Sequence, residues 1–494
     1  MVALLGYGSG TIFFTIWITI LYIANFAIAV MIIFHESKNP DATMSWILVL
    51  FLVPILGIIL YVLFSQNISR KRIFTLTKDE AHLMTSALRK QEAAIAKGSY
   101  PFDSSVAEKW KDLIRLNQVY GRAYYSQDNQ MTIQTSGRQL ADVMYRDIAE
   151  AKESIHIMFF IIKPDEEGKR LVDALTTKAL EGVKVRLLVD ALGSRHFSDR
   201  MVTKLIAAGG EFATFFPPKF RLFRYVNPKL NFRNHRKLMV IDNTIGYIGG
   251  FNIAREYMGA KKKFGFWRDT HARIEGGAVQ DINLRFLQDW RASSKEKVDL
   301  SGVFFEPEKV AGTTGMQIVS CGPETQHDEV KRAFMKMITS ARKNIYIQTP
   351  YFVPDGPILE SLKMAALSGV DVRIMIPCRP DHIFVYWATY KYCGELLNDG
   401  GRIFIYDNGF LHSKTMVVDG EVATIGSTNF DVRSFKLNFE CNSFIYDERE
   451  AKKMEAIFEK DMEHGHELTQ ELYDQRSLWI RIKEPIARLL SNVL

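Results

Sequence analysis

His235-Arg-Lys237-Leu-Met-Val-Ile-Asp242, followed by Gly249-Gly-Phe-Asn252, is a pattern that this chain carries twice. The second copy is His412-Ser-Lys414-Thr-Met-Val-Val-Asp419, followed by Gly426-Ser-Thr-Asn429. In both copies Lys comes two residues after His, Asp seven, Gly fourteen and Asn seventeen. The short apolar run between Lys and Asp reads as a buried strand. Asp242-Asn243 and Asp419-Gly420 carry hairpin-turn chemistry, and Ile245 to Ile248 and Val422 to Ile425 return as second strands. Alternate residues of a strand share a face, so His235 and Lys237 point the same way, as do His412 and Lys414. The glycines after each return strand permit a tight turn that presents Asn252 and Asn429.

These residue types together suit one chemistry. A neutral imidazole attacks phosphorus and forms a covalent intermediate. A second imidazole protonates the leaving oxygen and later deprotonates the incoming one. Two lysines and two asparagines hold the non-bridging oxygens as charge develops. One copy supplies half of such a phosphodiester site, and two facing copies supply all of it without a metal or other cofactor. A lone His-x-Lys is an ordinary strand end, but a second copy at identical spacing makes coincidence a poor account.

The repeated His-x-Lys-x4-Asp-x6-Gly-x-x-Asn pattern resembles the signature of the phospholipase D superfamily. More closely, the chain is similar to bacterial cardiolipin synthases of that type. The resemblance extends over Phe232-Arg-Asn-His-Arg-Lys237, Gly249 to Tyr257, Phe266-Trp-Arg-Asp-Thr-His271, Thr349-Pro-Tyr-Phe-Val-Pro-Asp355, the apolar N-terminal runs and the Arg476-Ser-Leu-Trp-Ile480 tail. It implies a phosphatidyltransferase that joins two phosphatidylglycerols into cardiolipin and glycerol through a phosphatidyl-histidine. A phospholipase D-type hydrolase with the same site is the alternative. The resemblance also implies that each histidine is oriented by an acid downstream in its own half, at the matching positions Asp269 and Glu440. His235 is taken as nucleophile and His412 as acid/base by analogy with two-domain relatives. Asp242 and Asp419 belong to the catalytic motifs, yet they lie at the far strand ends and read as anchors of the hairpins.

The 494-residue chain has a net charge of +7, which suits an anionic partner such as a lipid surface or nucleic acid. Its four cysteines lack Cys-x-x-Cys spacing, which points to neither a zinc site nor a disulfide framework. No charged side chain occurs from Met1 to Phe34. Residues 11–34 and 46–64, the latter interrupted only by Pro54 and Gly57, are expected to be two transmembrane helices. The first lacks a basic n-region, so a retained anchor is expected. Arg70, Lys71 and Arg72 follow the second run, which predicts a multi-pass protein of the bacterial cell membrane with its catalytic part in the cytoplasm.

Beyond this anchor (residues 1–69), residues 70–125 read as a helical connector, opened by a capping box at Thr77-Lys-Asp-Glu80. From Gly137 the pattern is α/β, and its order of helices and strands returns after residue 330. Gly182-Val-Lys-Val-Arg186 matches Gly369-Val-Asp-Val-Arg373. The expected fold is thus two similar α/β halves, 126–300 and 301–494, related by a pseudo-twofold axis. Residues 212 to 241 contain no acid and seven basic residues, Lys219, Arg221, Arg224, Lys229, Arg233, Arg236 and Lys237, with aromatics between them. This reads as a lip for anionic headgroups, with Arg233 and Arg236 as substrate contacts and Lys261 to Lys263 adding to it. Nucleic acid favours the same composition, but the apolar runs favour lipid, so the expected partners are phosphatidylglycerol, cardiolipin and glycerol. In the tail, Trp479, Ile482, Ile486, Leu489 and Val493 form a helical stripe expected to pack onto the second half, with a helix lying on the membrane surface as the alternative.

Overall fold

Each motif hairpin turns through two residues with positive φ, Asp242 and Asn243 (51° and 53°) or Asp419 and Gly420 (57° and 65°). Hydrogen bonds from Thr244 N to Ile241 O and from Glu421 N to Val418 O, both 3.0 Å, close these turns in the type I′ geometry that matches strand twist. The structure is a computed structural model. It describes residues 2–35, 40–64, 73–74, 78–216, 232–260, 263–294, 296, 298, 300, 312–325, 327–379 and 381–490. The chain divides into an N-terminal unit up to Lys71 and a larger unit that holds both hairpins.

In the N-terminal unit the helix Val2–His35 contains Thr11–Phe34, 24 residues long and apolar enough to cross a membrane. The second run is not one straight span. It forms two helices, Pro40–Leu52 and Pro54–Phe64, which fold against each other at Val53-Pro54. Pro54 has no N–H to continue the helical ladder. Gly57 lets the two backbones meet, since a Cβ there would lie 2.9 Å from Val49 O. The rings of Trp46 and Tyr61 pack edge to face at 5.4 Å across the bend.

The larger unit repeats one seven-stranded arrangement, to which the second half adds an edge strand, Gly465–Leu468, antiparallel to Arg402–Tyr406. In the first half the strands are β1 (Ser126–Ser136), β2 (Ser154–Phe159), β3 (Lys184–Asp190), β4 (Glu211–Phe215), β5 (Leu238–Ile241), β6 (Ile245–Gly249) and β7 (Trp267–Glu275). They lie side by side as β4-β3-β2-β5-β6-β7-β1, with β2, β3 and β4 parallel and the remaining pairs antiparallel. The second half has β8 (Thr314–Cys321), β9 (Asn344–Gln348), β10 (Asp371–Pro377), β11 (Arg402–Tyr406), β12 (Thr415–Val418), β13 (Val422–Gly426) and β14 (Asn438–Tyr446). Its order, β11-β10-β9-β12-β13-β14-β8, is the same. The edge strands β1 and β8 pair with each other through Ser126↔Met316 and Asn129↔Thr314. Parallel strands buried on both faces need continuous apolar runs, and Leu187 to Val189 and Ile374 to Ile376 supply them.

Asp242 and Asp419 tie each hairpin to the elbow that enters the central strand. The Asp242 carboxylate accepts from the backbone N–H of Lys152, Glu153 and Ser154, each at 2.8 Å. That of Asp419 accepts from Arg342, Lys343 and Asn344 at 2.7–3.1 Å.

The connector helices Lys78–Ala96, Ser105–Lys109 and Lys111–Gly121 join the core of the second half through Ile95, Trp110, Leu113 and Ile114. The expected capping box at Thr77 to Glu80 falls partly outside the described residues. The Glu80 carboxylate pairs with Arg291 at 2.6 Å. The tail helix Leu478–Leu490 packs onto Ile383–Asn398, with the described residues of the expected stripe facing away. Glu484 and Ala487 are its buried residues and Arg488 pairs with Glu395, while Trp479 (72%), Ile482 (46%) and Ile486 (52%) are exposed. Of the stripe, Val493 and the side chain of Leu489 lie outside the described residues.

Replacing Asp419 by Ala leaves three backbone donors without their acceptor. The unfolding free energy of the detergent-solubilised protein should fall by about 2–3 kcal/mol, and less for Asp419→Asn, which keeps one acceptor oxygen. Urea melts of the three proteins measure this, and equal stabilities would remove the anchor role.

Candidate active site

The chain approaches each histidine through the opposite half. Residues Arg233–Asn234 form a two-residue parallel ladder with β14, in register Arg233↔Asn438 and Asn234↔Phe439. Phe410–Leu411 do the same with β7, in register Phe410↔Trp267 and Leu411↔Arg268. The next N–H continues each ladder: His235 N donates to Phe439 O at 2.9 Å and His412 N to Arg268 O at 2.7 Å. The residue after each of those carbonyls is an acid. His235 Nδ1 therefore meets Glu440, at 3.0 Å to both carboxylate oxygens, and His412 Nδ1 meets Asp269 at 2.6 Å. This corrects the expected pairing within one half. The acids are the expected ones, but each serves the other half's histidine, because the short ladders put every histidine beside the partner sheet.

Both carboxylates are fully buried. Burial pushes the Glu440 carboxyl up, but His235, Lys237 and Ser427 together outweigh it and hold it below the ordinary range. For Asp269, burial is likewise outweighed by Lys414, His412 and the Thr270 N–H. Each stays ionised and accepts an Nδ1–H, which leaves Nε2 as the reactive nitrogen. Burial pushes the His235 imidazolium down to about 4, with Glu440 opposing and Lys237 assisting. Burial and then Lys414 lower His412. The unliganded histidines are thus neutral near pH 7, the form a nucleophile needs. Lys414 acts on His235 and Lys237 acts on His412, so both motifs share one electrostatic field.

Lys237 Nζ donates to His235 O at 2.5 Å, and Lys414 Nζ to His412 O. Burial lowers both ammonium groups, Lys414 to about 8. Asn252 Oδ1 accepts from Ile161 N at 3.0 Å and its Nδ2 donates to Tyr257 Oη at 3.4 Å. Asn429 Oδ1 is buried with no partner among the described residues. The glycines before the asparagines act by close approach, not by a left-handed turn, since none of Gly249, Gly250 and Gly426 has positive φ. A Cβ on Gly250 would lie 2.1 Å from Asp269 Oδ1, and one on Gly426 would lie 2.3 Å from the Asn442 side chain.

Arg236 is not a substrate contact. Its side chain is fully buried, bound to Asp289 at 2.8 and 3.1 Å, and its remaining nitrogens donate to Glu440 O and Cys321 O. It is a brace beneath the acid of His235. Arg268, which sequence reasoning missed, braces the other acid: it pairs with Asp461 at 2.8 Å and donates to Asp269 O at 2.5 Å. The signal available was its place directly before Asp269. Arg233 is half-buried and donates to Phe232 O at 3.1 Å. Lys219, Arg221, Arg224, Lys229, Lys261 and Lys262 lie outside the described residues.

Twin sheets carrying paired His-x-Lys hairpins define a phospholipase D-like protein. The family model described as cardiolipin synthase, PLD-like domain, matches residues 144–290 and 334–462. A phospholipase D-nuclease N-terminal model matches residues 23–66. The cardiolipin synthase of Listeria monocytogenes serotype 4b (strain CLIP80459) is 46% identical over 97% of this chain and 98% of its own length. The major cardiolipin synthase of Bacillus subtilis (strain 168) is 45% identical over 97% and 99%. The chain belongs to the cardiolipin synthase family of phospholipase D-like proteins. Among solved structures, phosphatidylserine synthase from Haemophilus influenzae Rd KW20 shares the fold, with a TM-score of 0.58 at 14% identity, covering 77% of this chain and 100% of that one.

The crossed pairing gives distinct expectations for two variants. Asp269→Asn should shift the 15N resonances of His412 and spare those of His235, and Glu440→Gln should do the reverse. Each should lower turnover by about a hundredfold or more. Perturbation of the histidine in the same half instead would refute the crossing.

Proposed function

We propose that this chain is a membrane-anchored phosphatidyltransferase that converts two phosphatidylglycerols into cardiolipin and glycerol. The observation that carries the reading is a pair of imidazoles in one field, each bound at Nδ1 by a buried carboxylate so that Nε2 is available for chemistry. The high identity to cardiolipin synthases along nearly the whole chain supports the substrate and product.

In the proposed cycle His235 Nε2 attacks the phosphorus of the first lipid. A P–N bond forms and the P–O bond to glycerol breaks. His412, protonated as the anionic diester arrives, gives its proton to the departing oxygen. The terminal hydroxyl of a second phosphatidylglycerol then attacks the phosphatidyl-histidine. The new P–O bond forms, the P–N bond breaks, and His412 takes the hydroxyl proton. Lys237, Lys414, Asn252 and Asn429 steady the non-bridging oxygens, and Asp269 and Glu440 hold the imidazoles in their working tautomers. Water in place of the second lipid would give phosphatidic acid, the hydrolase outcome.

The apolar helix Thr11–Phe34 and the bent pair at 40–64 form the proposed anchor, so the protein enters the bilayer with two segments. The basic cluster Arg70-Lys71-Arg72 supports a cytoplasmic site for the catalytic halves.

Purified protein in phosphatidylglycerol vesicles should yield cardiolipin and glycerol, and EDTA should leave the rate unchanged. Predominant phosphatidic acid would make it a hydrolase. His235→Ala and His412→Ala should each reduce turnover by about 10³-fold or more, and near-normal activity in either ends the two-histidine scheme. Only His235 should carry the trapped phosphatidyl group; finding it on His412 exchanges their roles. Separately, protease added outside intact protoplasts should spare everything beyond residue 70, and cleavage there would invert the topology.

A further inference from the structure

The tail helix Leu478–Leu490 turns outward the face that a soluble helix buries. Leu478, Trp479, Ile482 and Ile486 are all exposed. On a helical projection they share an arc of about 100°. Exposed Arg481 stands on one side of that arc and exposed Lys483 on the other. The inward side holds Glu484 and Ala487, both buried. Glu484, the helix's one acid, pairs with Arg476 at 2.9 Å. The outward face therefore presents apolar and basic side chains and no carboxylate. The patch continues beyond the tail. Lys483 Nζ lies over the Trp387 ring at 4.9 Å, and Trp387 packs edge-on against Phe384 at 5.4 Å. Phe384 and Ile383 are exposed, and they open the helix on which the tail packs. The loop before them leads back to the site, because Cys378 Sγ donates to Gly409 O at 3.8 Å, three residues before His412. Ile383, Phe384 and His412 thus share one end of the second sheet, where β9, β10 and β11 finish and β12 begins.

A contiguous apolar face of this kind is costly in water, and its rim selects what covers it. A second copy docked about a twofold axis would set Arg481 and Lys483 against their own counterparts. A bilayer containing phosphatidylglycerol offers acyl chains to the arc and negative headgroups to the rim. Trp479 suits that boundary, since an indole joins an apolar ring to an N–H that stays wet. The long stems of Arg481 and Lys483 reach back to the headgroups while the arc sinks.

We propose that the tail helix, together with Ile383 and Phe384, lies in the headgroup layer of an anionic bilayer and holds the histidine end of the second sheet against the lipid surface. The inference rests on the membrane-anchored reading above, and is the same for transfer and for hydrolysis. Docking by this face keeps the site at the level of the headgroups, so that a lipid phosphodiester reaches the imidazoles without leaving its leaflet. It also raises the effective concentration of lipid at the site, because both are confined to one surface.

The test places a spin label at Ile482→Cys on the full chain in phosphatidylglycerol nanodiscs. A Cys378→Ser background removes the one half-exposed thiol, the other three being buried. Collisions with oxygen and with a water-soluble nickel chelate separate the possible surroundings. Lipid admits oxygen and excludes nickel, water admits both, and a protein interface excludes both. The reference label is Lys452→Cys, on the helix Glu448–Met462, whose Glu455 binds Asn344 at the opposite end of β9. Nickel accessibility at 482 should be about tenfold or more below that at 452, with oxygen accessibility retained. Access to both reagents overturns the docking, and so does access to neither, which assigns the face to a second copy or another protein. In nanodiscs of phosphatidylcholine alone the nickel shielding should weaken, and equal shielding there overturns the anionic preference. The double variant Ile482→Glu with Ile486→Glu, at two exposed positions, should lower turnover in phosphatidylglycerol vesicles by about tenfold or more and leave turnover of the same lipid in detergent micelles unchanged. No loss in vesicles, or equal loss in both, overturns the proposal. A wild-type chain that does not enter nanodiscs at all sinks the anchor reading as well, whereas an inserted chain with its label in water sinks the docking alone.

Discussion

The exchange of carboxylates between halves is the constraint on which the catalytic geometry depends. An imidazole presents Nε2 in a defined direction only if Nδ1–H has an acceptor, and the acceptors of His235 and His412 lie across the pseudo-twofold, on Glu440 and Asp269. The two-residue ladders at Arg233–Asn234 and Phe410–Leu411 are the backbone expression of that exchange. Without them each sheet would end in a hairpin whose histidine has no carboxylate beside it. With them the two sheets share one polar interior, where two lysines, two histidines and two acids are buried together.

Such an interior is expensive to assemble. A buried carboxylate without partners takes up a proton, and a buried ammonium gives one up. Here the charges are distributed so that each acid sees more than one cation, and the arginines lie one layer further back. The Arg236–Asp289 and Arg268–Asp461 pairs do not touch the reacting nitrogens. Each instead grips the backbone carbonyl of the acid it supports, which fixes the carboxylate relative to its sheet. Removing one partner of such a pair leaves an uncompensated buried charge, at a cost of roughly 3–5 kcal/mol. Gly250 fits the same requirement, because any larger residue would displace the Asp269 carboxylate it faces.

Much of this was legible in the residues because strand periodicity and turn chemistry are local. The repeated spacing gives both hairpins, the shared faces of His and Lys, and Asp242 and Asp419 as anchors at the far strand ends. The duplicated helix and strand order gives two like sheets. What escaped is tertiary. Nothing near His235 says that its acid belongs to the other half, since the Glu440 and Asp269 contexts look alike. A basic residue beside a catalytic histidine reads as a substrate contact until Asp289, 53 positions away, is seen to occupy Arg236. The apolar run at 46–64 has the length of a span, and only the missing N–H of Pro54 and the bare Cα of Gly57 turn it back on itself. In the tail, Glu484 and Arg488 pair with neighbouring groups, while Trp479, Ile482 and Ile486 of the apolar stripe stay exposed.

The crossed ladders also bear on how the chain is made. Synthesis proceeds from the N-terminus, and early domains fold while later ones are still being translated. When Lys237 leaves the ribosome, Glu440 does not yet exist, so His235 has no acceptor for its Nδ1–H. The same holds for His412 until the first sheet has formed correctly to present Asp269. A nascent or prematurely terminated chain, already lodged among phospholipids by its first apolar helix, therefore carries no oriented imidazole with which to cleave them. Competence arrives all at once, with the strand that carries Glu440, and the host bilayer is spared a partially assembled phosphatidyltransferase.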